Sequence, residues 1–301
     1  MRSRTDKNLT SKTKRYGLLV LILIATIGLG FYGTTKSNFR MQDVTNFVTN
    51  LTKEIQHPKA VLEEEPDLKK AWQEALGDQT TPVSIAVYDN KTGITTTYTN
   101  DENNNYYMAS TVKVSILAGL LDEKHKTGEN LSDNEDELAT LMIEDSDNDA
   151  ATSLLDLAGG VDEQTNLYSS LGMDQTSMPA VTWGYTKTIA ADQLKLLNEI
   201  FYDGDFLPSA SRSYISGLMD QVDSSQAWGI TAGTSDTTNV QLKNGWLENE
   251  DGWIVNSIGH VQNEQVDYTI AIYTDKNESE DSGIENVEKL AKATIDYMST
   301  N

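Results

Sequence analysis

The order of hydrophobic patterns along the chain predicts an α/β fold of the α+β kind. It should hold a mainly antiparallel five-stranded sheet flanked by helices, plus an all-helical subdomain, preceded by one N-terminal transmembrane helix. Three observations carry this expectation. Alternating apolar patterns occur only near residues 83–99 and 240–274, so the sheet must draw on both ends of the domain. Between them, residues 110–222 show helical periodicity broken by short polar loops. A basic N-terminus precedes eighteen residues without a charge, from Tyr16 to Gly33.

The basic tail, residues 1–15, carries Arg2, Arg4, Lys7, Lys12, Lys14 and Arg15 against Asp6. The run 16–33 is close to the lower length limit for crossing a bilayer as a helix. The flanking charges favour a cytoplasmic N-terminus. A cleaved signal peptide is the competing reading, but no clean small-x-small site closes the run. Both readings place the rest of the chain outside the cytoplasm. Residues 34–65 read as a stalk, with Met41, Val44, Phe47, Val48, Leu51 and Ile55 at helical spacing.

The folded domain is expected over 66–301. Pro66 suits a first helical turn, and "DLKKAWQEALGD" (67–78) reads as a helix stopped by a glycine. "PVSIAVYDNKTGITTTYTN" alternates, turns at "DNKTG" and returns, which describes a β-hairpin. Helices follow at 110–124, 135–145, 149–158, 162–171, 189–202 and 209–222. "VQLKNGWL", "GWIVNSIGHV" and "VDYTIAIYT" are three successive strands, and "GIENVEKLAKATIDYM" closes as a helix. There are no internal repeats.

Composition removes several function classes. The chain has 301 residues and a formal net charge of −23, which opposes nucleic-acid binding. It has no cysteine, so disulfides, thiolate nucleophiles and cysteine metal ligands are excluded. His57, His125 and His260 are far apart, and no metal-binding spacing occurs, so neither metal nor cofactor is implied.

The candidate chemistry starts at "YYMASTVKVSILAGLL". Ser110 and Lys113 stand three apart in an apolar helical run, a spacing that lets Oγ and Nζ meet. A serine nucleophile needs an adjacent base, and with no usable histidine a lysine of lowered pKa can serve. The pair alone is weak evidence, because the same spacing occurs at Ser11 and Lys14. A second element is Ser146-Asp147-Asn148. That triplet also recurs, as Ser132-Asp133-Asn134, but 146–148 lie between two apolar helices where polar groups would face a cleft. Residues 132–134 lie in a charged stretch and read as a helix cap. The third element is Lys243-Asn244-Gly245. Asn-Gly could be a hairpin turn. A better turn at 248–252 favours a strand over 241–247.

The order Ser-x-x-Lys, Ser-Asp-Asn, Lys-x-Gly resembles that of class A β-lactamases and penicillin-binding proteins. The likeness spans most of residues 68–299 and includes "LATLMIEDSDNDAATSLLDLAGG" and "KNGW" followed by "VNSIGHV". It implies a β-lactamase/transpeptidase-like fold. By the resemblance, Ser110 would be acylated and Lys113 would be its base. Lys243 would keep Lys113 deprotonated and attract a substrate carboxylate. Ser146 would relay a proton to the leaving nitrogen, and Asn148 would position Lys113 and the substrate amide. Asn244, Gly245 and Trp246 would line the substrate site. The N–H groups of Ser110 and Trp246 would form an oxyanion hole, where losing one donor costs about 3 kcal/mol in comparable sites.

Three departures qualify the expected activity. The region "LGMDQTSMPAVTWGYTKTIAADQL" is short and has no glutamate where the family keeps its deacylating one. Asn244 replaces the usual threonine. No arginine follows Arg212, and His260 is a weak substitute. The expected protein is a membrane-anchored, extracytoplasmic serine hydrolase with slow deacylation. Its substrate would be a β-lactam, another small molecule or a peptidoglycan peptide. Its partners would be that substrate and the membrane, without nucleic acid, and it would be monomeric. The alternative is a cell-wall-binding module of the same fold that has lost turnover.

Overall fold

The computed structural model describes residues 64–300 apart from 203. The expected tail, anchor and most of the stalk lie outside the described residues. Among the described residues no helix is long and apolar enough to cross a membrane.

The chain enters through α1 (Pro66–Leu76), which starts on a proline and stops at Gly77, where φ is +59°. The hairpin follows as β1 (Val83–Asp89) and β2 (Ile94–Thr99). A two-residue strand, β3 (Tyr106–Tyr107), leads into a 3₁₀ turn, Ala109–Thr111, and then α2 (Val112–Thr127). Four elements complete the first helical group: α3 (Asp133–Glu144), α4 (Asn148–Leu157), α5 (Gly160–Ser170) and a 3₁₀ turn, Trp183–Tyr185. Then come β4 (Lys187–Thr188), α6 (Ala190–Phe201) and α7 (Ser209–Met219). The three long strands are β5 (Asn239–Asn249), β6 (Gly252–Gln262) and β7 (Asp267–Asn277), and α8 (Glu280–Met298) ends the domain.

The five-stranded sheet has the order β2-β1-β7-β6-β5, and every neighbouring pair is antiparallel. Both ends of the domain therefore contribute, as their alternating patterns predict. Alternation along the strands divides the core in two. Val83, Ile85, Val87, Val255 and Ile270 face α1 and α8, with Trp72 and Leu290 in the same cluster. Ala86, Ile258, Ala271 and Tyr273 face the helical block, with α2 at its centre.

The position of α2 explains the unbroken apolar run that carries Lys113. Every residue from Val112 to Asp122 is buried, so the helix is enclosed on all sides and has no polar stripe. Lys113 is fully buried with its neighbours. Its ammonium group cannot reach solvent, so its partners must be internal.

The small sheet formed by β3 and β4 has no counterpart in the sequence expectations. Tyr106 pairs with Thr188 and Tyr107 with Lys187, and Met108 N–H donates to the Thr186 carbonyl at 2.8 Å. Two-residue strands leave no periodic trace. Their effect is large, because they fasten the segment 172–189 to the turn that carries Ser110. The same segment is held from behind by Asp192, whose Oδ2 accepts from Gln175 N–H and Thr176 Oγ1–H at 2.7 and 3.0 Å.

Helix α1 is integral to the domain. Trp72 is fully buried, and its indole N–H donates to Thr294 Oγ1 at 2.9 Å across α1 and α8. We predict that Trp72→Ala lowers folding stability by about 3–5 kcal/mol, measured by denaturant unfolding, because it leaves a large cavity and removes the hydrogen bond to Thr294. A loss below about 1 kcal/mol would show that α1 is an appendage rather than part of the core.

Candidate active site

Ser110 and Lys113 meet, although they do not share one regular helix. Ser110 lies in the 3₁₀ turn and Lys113 in the first turn of α2. Lys113 Nζ is 3.1 Å from Ser110 Oγ. It is also 3.1 Å from Ser146 Oγ, 2.8 Å from Asn148 Oδ1 and 2.5 Å from the Ser146 carbonyl oxygen. The first two motifs are thus assembled around one nitrogen.

The chemistry of these neighbours constrains the amine. The Ser146 carbonyl and Asn148 Oδ1 can only accept hydrogen bonds, so each requires an N–H from Lys113. A neutral amine has two N–H bonds and one lone pair. Two donors used on those oxygens leave the lone pair for the hydroxyls of Ser110 and Ser146. Burial pushes Lys113 down to about 8, against the opposing pull of the Asp147 carboxylate.

The two Ser-Asp-Asn triplets prove to differ as their contexts predict. Ser132 is the N-cap of α3, and with Glu135 it forms a reciprocal capping box. In the second triplet the cap is Asp147, whose Oδ1 accepts from Ala150 N–H at 2.7 Å. This leaves the side chains of Ser146 and Asn148 free to face Lys113. Ser146 has φ +61°, and Ala109, just before Ser110, has φ +48°. Left-handed backbone at non-glycine residues stores strain, and two of the three instances among the described residues lie at the assembled groups.

The third motif approaches from β5, the edge strand beside the 3₁₀ turn. Lys243 is opposite Ile258 and Gly245 opposite Asn256, so both face the helical block. A Cβ on Gly245 would stand 2.6 Å from Ser110 N and 2.7 Å from Thr111 N, and neither backbone atom could yield cheaply. Glycine therefore lets the strand touch the turn that carries Ser110.

Lys243 is fully buried, and among the described residues its hydrogen-bond partner is the Asn244 carbonyl at 3.3 Å. Burial first, and then repulsion from Lys113, push it down to about 7. The sequence expectation made Lys243 the group that keeps Lys113 neutral. In the structure, burial is the leading cause at Lys113 itself, and the repulsion registers at Lys243.

Asn244 departs from its expected place. It points to the opposite face of β5, and its Nδ2 donates to the carbonyls of Gln226 and Trp228 at 2.8 and 3.0 Å. The period of two in a strand turns it away when Lys243 points in. It is a tether for the loop 226–228 rather than a wall of the cleft. His260 does not replace an arginine. It stacks on Phe201 with ring centroids 4.7 Å apart, and its nitrogens lie 3.0 Å from Gln241 Oε1 and 2.8 Å from Asp267 Oδ1.

A cleft of about 370 Å³ opens at Ser110. Trp246, an expected substrate-site residue, lines it together with Asn148, Val181, Trp183, Tyr185 and Leu247. Trp183 stands 5.2 Å from Lys113 Nζ by its ring centre, and its indole N–H donates to Thr152 Oγ1 at 3.1 Å. Trp228 packs edge-on against Trp246 at 5.6 Å. Among the described residues, the lining holds no carboxylate, consistent with the missing glutamate in 171–194.

One structural contributor was missed in the sequence. Asn256 of β6 is fully buried, and its Nδ2 donates to the carbonyls of Tyr107 and Met108 at 2.9 and 3.2 Å. It clamps the chain just before the turn that carries Ser110. The available signal was a lone amide inside "WIVNSI", where a buried polar group demands partners.

Comparison with known proteins identifies the family and the fold. The Beta-lactamase enzyme family matches residues 134–298, more than half of the chain. The chain belongs to this family. The match starts beyond Ser110 and Lys113, and it includes the second and third motifs. No curated protein matches the sequence. Solved structures extend the likeness to most of the domain. A class A β-lactamase from Bacteroides cellulosilyticus is 16% identical with a TM-score of 0.69, covering 78% of this chain and 98% of that one. The extended-spectrum β-lactamase TLA-3 is 19% identical with a TM-score of 0.70, covering 78% and 99%. A mutant of PBP-A, solved as its acyl-enzyme complex with penicillin G, is 18% identical with a TM-score of 0.69, covering 80% and 99%. At these identities the neighbours establish the β-lactamase-like fold.

The strain at Ser146 can be measured. Ser146→Ala and Ser146→Gly both remove the hydroxyl, but only glycine relieves the left-handed backbone. We predict that the glycine variant is the more stable by about 1 kcal/mol in thermal or denaturant unfolding. Equal midpoints would show that position 146 is unstrained.

Proposed function

We propose that the protein is a membrane-anchored, extracytoplasmic serine hydrolase. In this reading, β-lactams or related amide and peptidoglycan-peptide substrates acylate Ser110, and deacylation is slow. The observation that carries it is the position of Lys113 Nζ, within hydrogen-bond reach of Ser110 Oγ, Ser146 Oγ and Asn148 Oδ1 at once. The anchor rests on the uncharged run 16–33 behind the basic tail.

Ser110 Oγ attacks the substrate carbonyl carbon while its proton passes to the lone pair of neutral Lys113. The carbonyl oxygen becomes an oxyanion at the floor shared by the nucleophile turn and β5, where the N–H groups of Ser110 and Trp246 are the intended donors. Collapse breaks the C–N bond. The proton held by Lys113 reaches the leaving nitrogen through Ser146 Oγ, and an ester remains on Ser110. Asn148 holds the amine through Oδ1 during both transfers. Completing the cycle requires a base that activates water. The cleft lining offers no carboxylate for that task, which supports a long-lived acyl-enzyme.

The direct test is intact mass spectrometry after incubation with excess penicillin. The expected result is a stable adduct equal to the whole antibiotic, absent in Ser110→Ala. A folded protein that never gains mass would favour a wall-binding module without turnover. Rapid hydrolysis with no lasting adduct would show that deacylation has another base.

The reaction should also depend on pH in a defined direction. Only unprotonated Lys113 can take the serine proton, so acylation rises with pH and levels off once that amine is neutral. The midpoint is expected near the value of about 8 to which burial lowers it. Lys113→Ala should slow acylation by at least about a hundredfold, the lower end for a general base. A wild-type profile that is flat or falls between about pH 6 and pH 9 would remove Lys113 from the base role.

A further inference from the structure

We infer that Asn256 is a positioning residue for acylation: its buried amide fixes the direction of the Ser110 N–H and the spacing of that group from β5. This rests on the acyl-transfer reading above, which assigns the N–H groups of Ser110 and Trp246 to the oxyanion. Asn256 lies outside all three motifs, and its complete burial keeps it away from substrate.

The amide has little freedom left. Its N–H bonds go to the carbonyls of Tyr107 and Met108 at 2.9 and 3.2 Å, and Oδ1 accepts from Thr274 N–H of β7 at 3.2 Å. Both of its donors are therefore used. Turning the side chain would give up several buried hydrogen bonds at once, which costs more than losing exposed ones.

Those contacts reach the chemistry through one residue. The Met108 carbonyl belongs to the peptide unit before Ala109, and the Ser110 N–H belongs to the unit after it. Peptide units are planar, so only φ and ψ of Ala109 separate the two. The Met108 carbonyl also accepts from Thr111 N–H and Thr111 Oγ1–H, at 3.2 and 2.7 Å. The first unit is thus held both by the sheet and by the turn. Ala109 has φ +48°, a left-handed conformation that an alanine keeps only when its surroundings impose it. Releasing the Met108 carbonyl lets Ala109 relax, and the Ser110 N–H turns with it.

Sheet register supplies the second half of the argument. Asn256 stands opposite Gly245, so the two positions share a face of the sheet. A Cβ on Gly245 would stand 2.6 Å from Ser110 N and 2.8 Å from the Met108 carbonyl oxygen. The turn that carries Ser110 rests in the notch left by glycine, and the asparagine across from it grips the turn there. Trp246, which bears the second N–H, follows Gly245 in the same strand. One side chain therefore sets the spacing between the two donors. Donors placed in advance at a developing oxyanion stabilise the transition state more than the bound substrate. Loss of Asn256 should act on rate, with little effect on binding.

The test follows the intact protein with penicillin at several concentrations, reading both adduct mass and penicillin consumption over time. Asn256→Ala is expected to lower the limiting acylation rate by about ten- to a hundredfold. The half-saturating concentration should change by less than about threefold. The pH midpoint should stay in place, because Lys113 is held by Ser110, Ser146 and Asn148. A boronic acid gives an independent measure. Ser110 Oγ adds to boron, and the tetrahedral anion carries an oxygen where the oxyanion forms, so its affinity should fall by about the same factor as the rate. Asn256→Ser, which is too short to reach both carbonyls, should behave like the alanine variant and is measured beside it in case that variant does not fold. Trp72→Ala, a destabilising change in the other half of the core, should leave the limiting rate within about twofold. Asn256 variants with a limiting rate and a boronate affinity within about twofold of wild type overturn this inference alone. So does a loss confined to the half-saturating concentration or to the fraction of protein that reacts. A wild-type protein that neither gains mass nor consumes penicillin overturns the acyl-transfer reading and this inference with it.

Discussion

The structure depends on the need to satisfy one buried amine. Lys113 sits in a helix that is enclosed on all sides, so its nitrogen has no route to water. An unpartnered ammonium there would be prohibitive. Oxygen atoms from Ser110, Ser146 and Asn148 surround it instead, drawn from the nucleophile turn, a strained loop residue and the first turn of α4. The same requirement that brings these elements together also creates the arrangement able to move a proton. Stability and the proposed chemistry are linked at this atom, because the polar groups that offset the cost of burial also hold the amine beside two hydroxyls.

Keeping that arrangement in place falls to residues outside the motifs. Asn256 ties the chain before Ser110 to the sheet through two carbonyls. The two short strands β3 and β4 bind the same segment to the loop that carries Trp183. Gly245 allows the edge strand to approach Ser110 N more closely than any side chain would permit. The nucleophile turn is consequently held from three directions, which is how a position adjacent to a left-handed alanine persists.

The loop 172–189 has a different kind of importance. It brings aromatic and apolar side chains to the mouth of the cleft in place of a carboxylate. Water near an acyl group would meet Trp183 and Tyr185 rather than a base. The pairing of a complete set of polar groups around Lys113 with an uncharged wall separates the two halves of an acyl-transfer cycle. In the proposed reading, the first half has Lys113 as its proton acceptor, and the second finds no carboxylate among the lining residues.

Much of this was legible in the sequence because it is written in short-range periodicity. Alternation in 83–99 and 240–274 identified five strands, and the turn at 248–252 correctly left Lys243 to Gly245 in a strand. Context alone separated the capping triplet at Ser132 from the one at Ser146. The motif residues Ser110, Lys113, Ser146 and Asn148 could be named from the resemblance that their order along the chain carries. Their convergence on one nitrogen could not be derived that way, since it depends on packing α2, α4 and the sheet together. Tertiary structure alone decided that Asn244 turns away from the cleft, that Lys243 is buried behind it, and that β3 and β4 exist. Each depends on which face of an element meets a partner distant in sequence, and local propensity carries no information about that partner.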